Sequence, residues 1–230
     1  AKPLQHFTMS DIKVHYFGAT GRGEQIRLSL ALADKPFTNV TPGEDVPGFI
    51  AGCREKGGNL TTNLPMLEVD GKFYPQSQAA SRYIGRRFKL YGSEQDAEQA
   101  FLVDKLMDDA DDFRAVGYKC CYLPSFGMLA TKEGVDKLLE ETIPKHLKNF
   151  ERQLGSQDYF LGTSPTIADA SIYNVLVDFF VSFWPTILAD YPNLQQFCDR
   201  FAAIPSVKAY LESDQKKKNM SFSADLLPKE

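Results

Sequence analysis

Cysteine is scarce in this chain and follows no pattern: Cys53, Cys120, Cys121 and Cys198 are the four among 230 residues. None forms a C-x-x-C pair and no histidine stands at metal-ligand spacing, which argues against zinc and against any metal site. No cysteine lies at the first loop either, which disfavours a thiol–disulfide oxidoreductase. Usage this sparse fits reduced thiols in a cytoplasmic protein better than a disulfide framework, and vicinal Cys120-Cys121 reads as buried packing. A secretory apolar region is missing from the N-terminus, and residues 1–8, ahead of Met9, read as an extension or remnant outside the fold. No apolar run is clean enough to enter a membrane. The richest, Ile167 to Leu188, carries Asp169, Asn174, Asp178 and Pro185, so it reads as a buried central helix rather than a span. Excess positive charge is lacking too. A net charge of −4 gives no general attraction for nucleic acid or anionic lipid. The one basic run, Lys216-Lys217-Lys218, reads as the start of a solvated polar tail over 216–230.

What is present is ordinary soluble material, 43% hydrophobic and 24% charged, in a chain long enough for two unequal domains. Ile12 to Phe17 alternates β-branched and aromatic residues and predicts a strand. A glycine-rich loop follows, Gly18 to Gly23, and then an apolar helix over Glu24 to Asp34. A second strand is expected at Phe37 to Val40. Residues 42–58 are dense in glycine and proline, which predicts an irregular segment. Met66 to Val69 and Lys72 to Tyr74, joined by Asp70-Gly71, predict a hairpin, and Gln76 to Phe88 a helix. After Tyr91-Gly92-Ser93 no further strand is expected. Helices are predicted over Gln99 to Tyr118, Lys132 to Leu154, Thr166 to Phe183, Leu194 to Ala203 and Ser206 to Ser213. Thr166-Ile167-Ala168-Asp169 has the form of a capping box. The shift in composition places a small α/β domain at 9–90 and an all-helical domain at 93–215.

Three stretches carry chemistry. Tyr16 ends the first strand. Leu64-Pro65 opens the hairpin, where an unpaired backbone N–H and C=O would accept an extended peptide by β-augmentation; the plainer reading is a loop proline. Gln76-Ser77 starts a helix whose free N–H groups and positive dipole end suit a carboxylate; Ser77 as a simple N-cap is equally compatible. Asp104, Asp108 and Asp112 recur on one face of the long helix with Asp109 and Asp111 beside them. Like charges so spaced destabilise a helix by about 0.2–0.5 kcal/mol per pair, partly offset by Lys105 and Arg114.

Tyr16-Phe17, Gly21-Arg22, the run Leu64 to Gly71, Gln76-Ser77, Arg82-Tyr83, Leu90-Tyr91-Gly92 and Thr166 to Asp169 together resemble the cytosolic glutathione S-transferases of the tyrosine type, sigma-like with pi-like features. The likeness covers Asp11 to Leu211. It implies a thioredoxin-like N-terminal domain, an all-helical C-terminal domain, a homodimer, and glutathione as co-substrate in the conjugation of apolar electrophiles. Two other activities on the same fold are a glutathione-dependent isomerase of the prostaglandin D synthase type and a non-catalytic, crystallin-like ligand binder.

The resemblance also assigns residues. Tyr16 is expected to hydrogen-bond the glutathione sulfur. A free thiol of pKa ~8.5 is only a few per cent ionised at neutral pH, and a neutral phenol helps the thiolate far more than the thiol. Lowering the thiol pKa by two units needs ~2.7 kcal/mol, within reach of one charge-assisted hydrogen bond and nearby positive groups. Arg22 is expected to support that site. Leu64, before Pro65, should pair with the cysteinyl unit, and Gln76 with Ser77 should hold the γ-glutamyl end. Lys56 or Arg54, with Asn63, should hold the glycyl carboxylate. Phe49 occupies the approximate place of a family tryptophan and lacks its N–H. Asp112 of the partner subunit should reach the γ-glutamyl ammonium. Phe17, Gly18, Tyr118 and Tyr122 are the expected wall for the second substrate. Thr61 stands where several classes carry an aromatic dimer key.

Overall fold

The computed structural model describes residues 11–61, 63–93 and 95–229; the extension expected at 1–8 lies outside them. Four short strands, β1 (Ile12–His15), β2 (Thr38–Val40), β3 (Met66–Val69) and β4 (Lys72–Pro75), form one sheet in the order β2-β1-β3-β4. β1 and β2 run parallel and the other neighbours antiparallel. Asp70 and Gly71 both take positive φ, at 51° and 78°, as the tight turn between β3 and β4 requires.

The crossover from β1 to β2 is helix α1 (Gly21–Leu32), in which every residue but Arg22 is buried. A helix apolar on one stripe alone would not be covered all round. Here Ile26 and Leu30 join the sheet-side core, while Leu28, Ala31 and Leu32 join the core of the helical region. α1 is therefore the common wall of the two cores.

The glycine- and proline-rich stretch differs from expectation. It holds helix α2 (Val46–Lys56), capped by Asp45, whose side chain accepts from the Gly48 N–H at 2.9 Å. Pro47 stands in the first turn, where its missing N–H would have no helical partner anyway. Helix α3 (Ser77–Arg87) follows β4.

The rest is mainly helical: α4 (Ala97–Lys119), α5 (Lys132–Lys137), α6 (Ile143–Leu154), α7 (Ile167–Val175), α8 (Pro192–Ala202), α9 (Pro205–Glu212) and α10 (Asp214–Lys217). Wide π-type turns at Leu138–Thr142 and Leu176–Val181 extend α5 and α7. α7 is buried at every residue and starts with the expected capping box: Thr166 and Asp169 exchange bonds, and the Asp169 carboxylate also accepts from the Phe160 N–H at 2.9 Å. This central element carries buried acid and amide groups, and among the described residues no helix is long and apolar enough to cross a membrane.

Two further differences matter for the site. A small hairpin, β5 (Tyr122–Leu123) and β6 (Met128–Leu129), appears where no strand was expected, turned by Pro124 to Phe126 and by Gly127 at φ 70°. The Lys216–Lys218 run does not behave as one solvated tail. Lys216 has a side chain only 13% exposed, at 2.8 Å from both Glu24 and Asp178. Burial works against its charge, but the two carboxylates outweigh that and raise its pKa.

Candidate active site

Strand register brings the three stretches to one end of the sheet. His15 pairs with Met66, and Met66 with Pro75. One residue further along, Tyr16 stands opposite Pro65 and Pro65 opposite Gln76. The Leu64-Pro65 peptide bond is cis. Among the described residues neither the N–H nor the C=O of Leu64 has a backbone partner.

Tyr16 is 9% exposed and wedged against the start of α1. A Cβ on Gly23 would lie 2.3 Å from its ring, and one on Gly21, whose φ is +42°, 2.6 Å from its hydroxyl. Glycine is the only residue compatible with that approach. The Tyr16 oxygen accepts the Arg22 backbone N–H at 3.2 Å, a first-turn donor at the positive end of the helix dipole. Burial raises the Tyr16 pKa above its usual value. The Arg22 N–H, the Tyr118 hydroxyl, and the charges of Arg27 and Arg114 oppose this. The net result is a neutral phenol at neutral pH, able to donate a proton.

The Arg22 side chain turns away to Asp111 on α4 at 2.5 Å, with its guanidinium 5.9 Å above the Tyr118 ring. Asp111 also binds Arg114 at 2.8 Å. Arg114 is fully buried and donates to Gln25 at 3.0 Å and Asn174 at 3.1 Å. Behind Tyr16, fully buried Arg27 donates to Glu24, to Asn39, and to the carbonyls of Phe17 and Ala19, holding the loop after β1. Arg27 and Arg114 were not among the expected site residues. For Arg27 the signal was available: a charged residue in the middle of an otherwise apolar helix packed on both sides must have built-in partners.

Gln76 precedes α3 at φ 71°, a conformation sparsely populated by non-glycine residues. It occupies the N-cap position without a side-chain cap bond, and buried Ser77 is the first helical residue. The simple N-cap reading of Ser77 is therefore corrected by one position. On α2, Arg54 donates to Asn63 at 2.7 Å and the Lys56 ammonium lies 5.5 Å over the Phe73 ring. Phe49 faces inward, 6.0 Å from His15, and serves as packing.

A cavity of about 370 Å³ opens in front of Tyr16. Phe17, Gly18, Arg22 and Tyr118 line it, together with Leu123, Phe126 and Met128 of the hairpin and Met220 and Phe222 near the C-terminus. Met220 pairs with the loop, donating to Gly18 at 2.7 Å and accepting from Thr20 at 3.0 Å, and Phe222 stacks on Phe179. Tyr122 does not join this group. It is 50% exposed and lines a separate cavity with Lys132 and Leu227, because strand alternation turns it away from Leu123.

Four of the five clustered aspartates are paired within the chain. Arg82 holds Asp104 and Asp108, Lys105 holds Asp109, and Arg22 and Arg114 hold Asp111. Asp112 is exposed, with no hydrogen bond or ion pair among the described residues.

Comparison with known proteins supplies the context. A family model described as the glutathione S-transferase C-terminal domain matches residues 112–214. Glutathione S-transferase alpha-1 of Rattus norvegicus is 30% identical over 211 residues, covering 89% of this chain and 90% of its own. Glutathione S-transferase A2 of Bos taurus is 28% identical over 208 residues, covering 90% of each. The solved pi-class glutathione S-transferase of Onchocerca volvulus superposes with a TM-score of 0.74 at 24% identity, over 88% of this chain and 92% of that one.

Proposed function

This chain belongs to the glutathione S-transferase family, and from that premise we propose that Tyr16 stabilises the thiolate of bound glutathione for attack on an electrophile in the adjoining apolar cavity. The observation that carries the reading is the Tyr16 hydroxyl. It is buried, neutral, fixed by the Arg22 N–H, and set at the mouth of a cavity walled mainly by aromatic and aliphatic groups. Its proton stabilises developing or full negative charge on sulfur, and holding both reactants in one cleft supplies proximity. The start of α1 and the charges of Arg27 and Arg114 add a positive field.

Glutathione then lies across that end of the sheet. Its cysteinyl unit pairs with the Leu64 backbone beside Pro65. Its γ-glutamyl carboxylate meets Ser77 and the α3 N-terminus behind Gln76. Its glycyl carboxylate meets Lys56 and the Arg54–Asn63 pair. Phe17, Gly18 and Tyr118 face the second substrate. The unpaired Asp112 supports a homodimer in which Asp112 of the partner subunit receives the γ-glutamyl ammonium. Four buried, free thiols suit a cytoplasmic protein.

The test is Tyr16→Phe, assayed for glutathione binding and for conjugation of an aryl halide. Binding is expected to survive, while turnover falls at least about tenfold, the loss of ~1.4 kcal/mol of thiolate stabilisation. Equal turnover in both proteins would overturn the assignment.

A further inference from the structure

The Lys216–Lys218 run splits after its first residue. Lys216 is drawn inward between Glu24 and Asp178. Lys218 is exposed, and its ammonium has no ion pair or hydrogen bond among the described residues. It lines a cavity of about 590 Å³ that shares Gly18, and no other lining residue, with the cavity in front of Tyr16. Gln215, Lys218 and Asn219 form one wall, at the i, i+3, i+4 spacing that puts side chains on one face of a helical turn. The other wall is the edge strand β2 and its flanks, with Phe37, Thr38 and Thr41.

The first wall is rich in donors that nothing answers. Asn219 is only 8% exposed, yet its side-chain nitrogen has no hydrogen bond, and the Gln215 side-chain nitrogen is buried in the same condition. A buried N–H without an acceptor is costly to keep. No carboxylate lines the cavity, Lys218 is its one charged group, and the Asn39 oxygen is already taken by Arg27 at 2.8 Å.

We propose that this cavity binds a phosphate monoester of a small polar alcohol, its phosphate held by Lys218 and by the amides of Asn219 and Gln215. The donors decide the class. An ammonium carries three N–H groups and each amide two, more than the four or so acceptor sites of a carboxylate use. The three terminal oxygens of a phosphate, with up to two negative charges, match that supply. The volume is that of a small-molecule site rather than of a bare ion, which leaves room for the esterified alcohol. The Thr38 and Thr41 hydroxyls suit a hydroxylated body, and the Phe37 ring can cover its carbon face. Asn219 is followed by Met220, whose N–H donates to the Gly18 carbonyl at 2.7 Å, so the ligand sits beside that bridge. The site is independent of the chemistry assigned to Tyr16, and its test needs no turnover.

Glycerol 3-phosphate is the probe, glycerol the neutral control, and thermal unfolding of the full chain the readout. Saturating glutathione is present throughout, so that its own site is filled. The wild-type melting temperature should rise with glycerol 3-phosphate in the manner of ligand linkage, and should not respond to glycerol. Lys218→Ala and Asn219→Leu should each weaken the probe at least about tenfold, while Lys218→Arg retains it. Asn219→Leu should unfold in urea at the wild-type midpoint or above, because it removes an amide that bonds to nothing. The absence of a wild-type shift at millimolar probe, or undiminished affinity in both Lys218→Ala and Asn219→Leu, overturns the proposal. A lower urea midpoint in Asn219→Leu overturns it too, since the amide would then be satisfied in the free protein.

Discussion

The sulfur end and the glycyl end of the proposed glutathione site are built on different physical terms. At the sulfur end Tyr16 is boxed in by two glycines, and the charges behind it, Arg27, Arg114 and Glu24, are fully buried, Arg27 bonded to Glu24 and Arg114 to Gln25. At the glycyl end Arg54 and Lys56 stand on a short helix at the surface, and Arg54 donates to an exposed asparagine, Asn63. Buried groups that lose a partner cannot recruit water in its place, whereas exposed ones can. The first end should therefore be brittle and the second forgiving.

The strongest test of that brittleness lies well away from the sulfur in sequence. Lys216→Met removes the cation shared by Glu24 and Asp178, leaving buried Asp178 without an ion pair among the described residues and Glu24 with Arg27 alone. A loss of about 3–5 kcal/mol is expected, read as a lower urea midpoint, with the Met220–Phe222 wall loosened from the loop after β1. A surface-like loss below about 1 kcal/mol would show that this end is not held as described.

Gly21→Ala comes next. Its Cβ would intrude 2.6 Å from the Tyr16 hydroxyl at a backbone conformation that disfavours side chains. Displacing a reacting group by about 1 Å can cost about 10²-fold in rate, so kcat/KM should fall about a hundredfold while glutathione still binds. A fall of only a few-fold would mean that the phenol position is not critical.

Beneath the glycyl end the comparison sharpens, because its floor is buried although its grip is not. Glu68 accepts from His15 at 2.7 Å and Lys13 at 3.2 Å. Burial raises its pKa, but those bonds outweigh it and the carboxyl is held below the usual value. Glu68 thus takes up a proton less readily folded than unfolded. Its contribution is complete above the unfolded value of ~4.3 and disappears as pH falls through the lower folded value. Glu68→Gln should cost about 1–3 kcal/mol at pH 6 and flatten the decline of the urea midpoint between about pH 5 and 3. An equally steep decline in the variant would remove Glu68 from this role.

The same contrast separates what could be read in the chain from what could not. The strands and the Asp70-Gly71 turn follow from alternation and turn chemistry, which are local, whereas the register that aligns β1 with β3 joins segments about fifty residues apart. α2 was missed because Pro47 and Gly48 were weighed as breakers without regard to their place. In a first turn capped by Asp45 they cost little. Pro124 to Gly127 carried a turn signal of the kind that joins β5 to β6, but strands of two residues offer no period to detect. Lys216 was read as solvent-facing because its partners, Glu24 and Asp178, lie 192 and 38 residues away. No window along the chain contains that charge balance. Tyr122 and Tyr118 looked equivalent by type and position, and only the fold turns one into the cavity and the other away.

The smallest effects belong to the glycyl grip. Arg54→Ala and Lys56→Ala should each raise the KM for glutathione no more than about fivefold, the upper range for an exposed ion pair of about 0.2–1 kcal/mol, with kcat unchanged because neither touches the sulfur. The two cations are placed to substitute for one another: Arg54 is steered by Asn63, and Lys56 rests over Phe73. The double variant should therefore lose more than the product of the single losses, since each single change leaves the other cation free to move over the carboxylate. Added salt should weaken wild-type binding and leave the double variant nearly insensitive. Strict additivity would assign the carboxylate to one fixed partner, and the glycyl end would then be as rigidly built as the sulfur end.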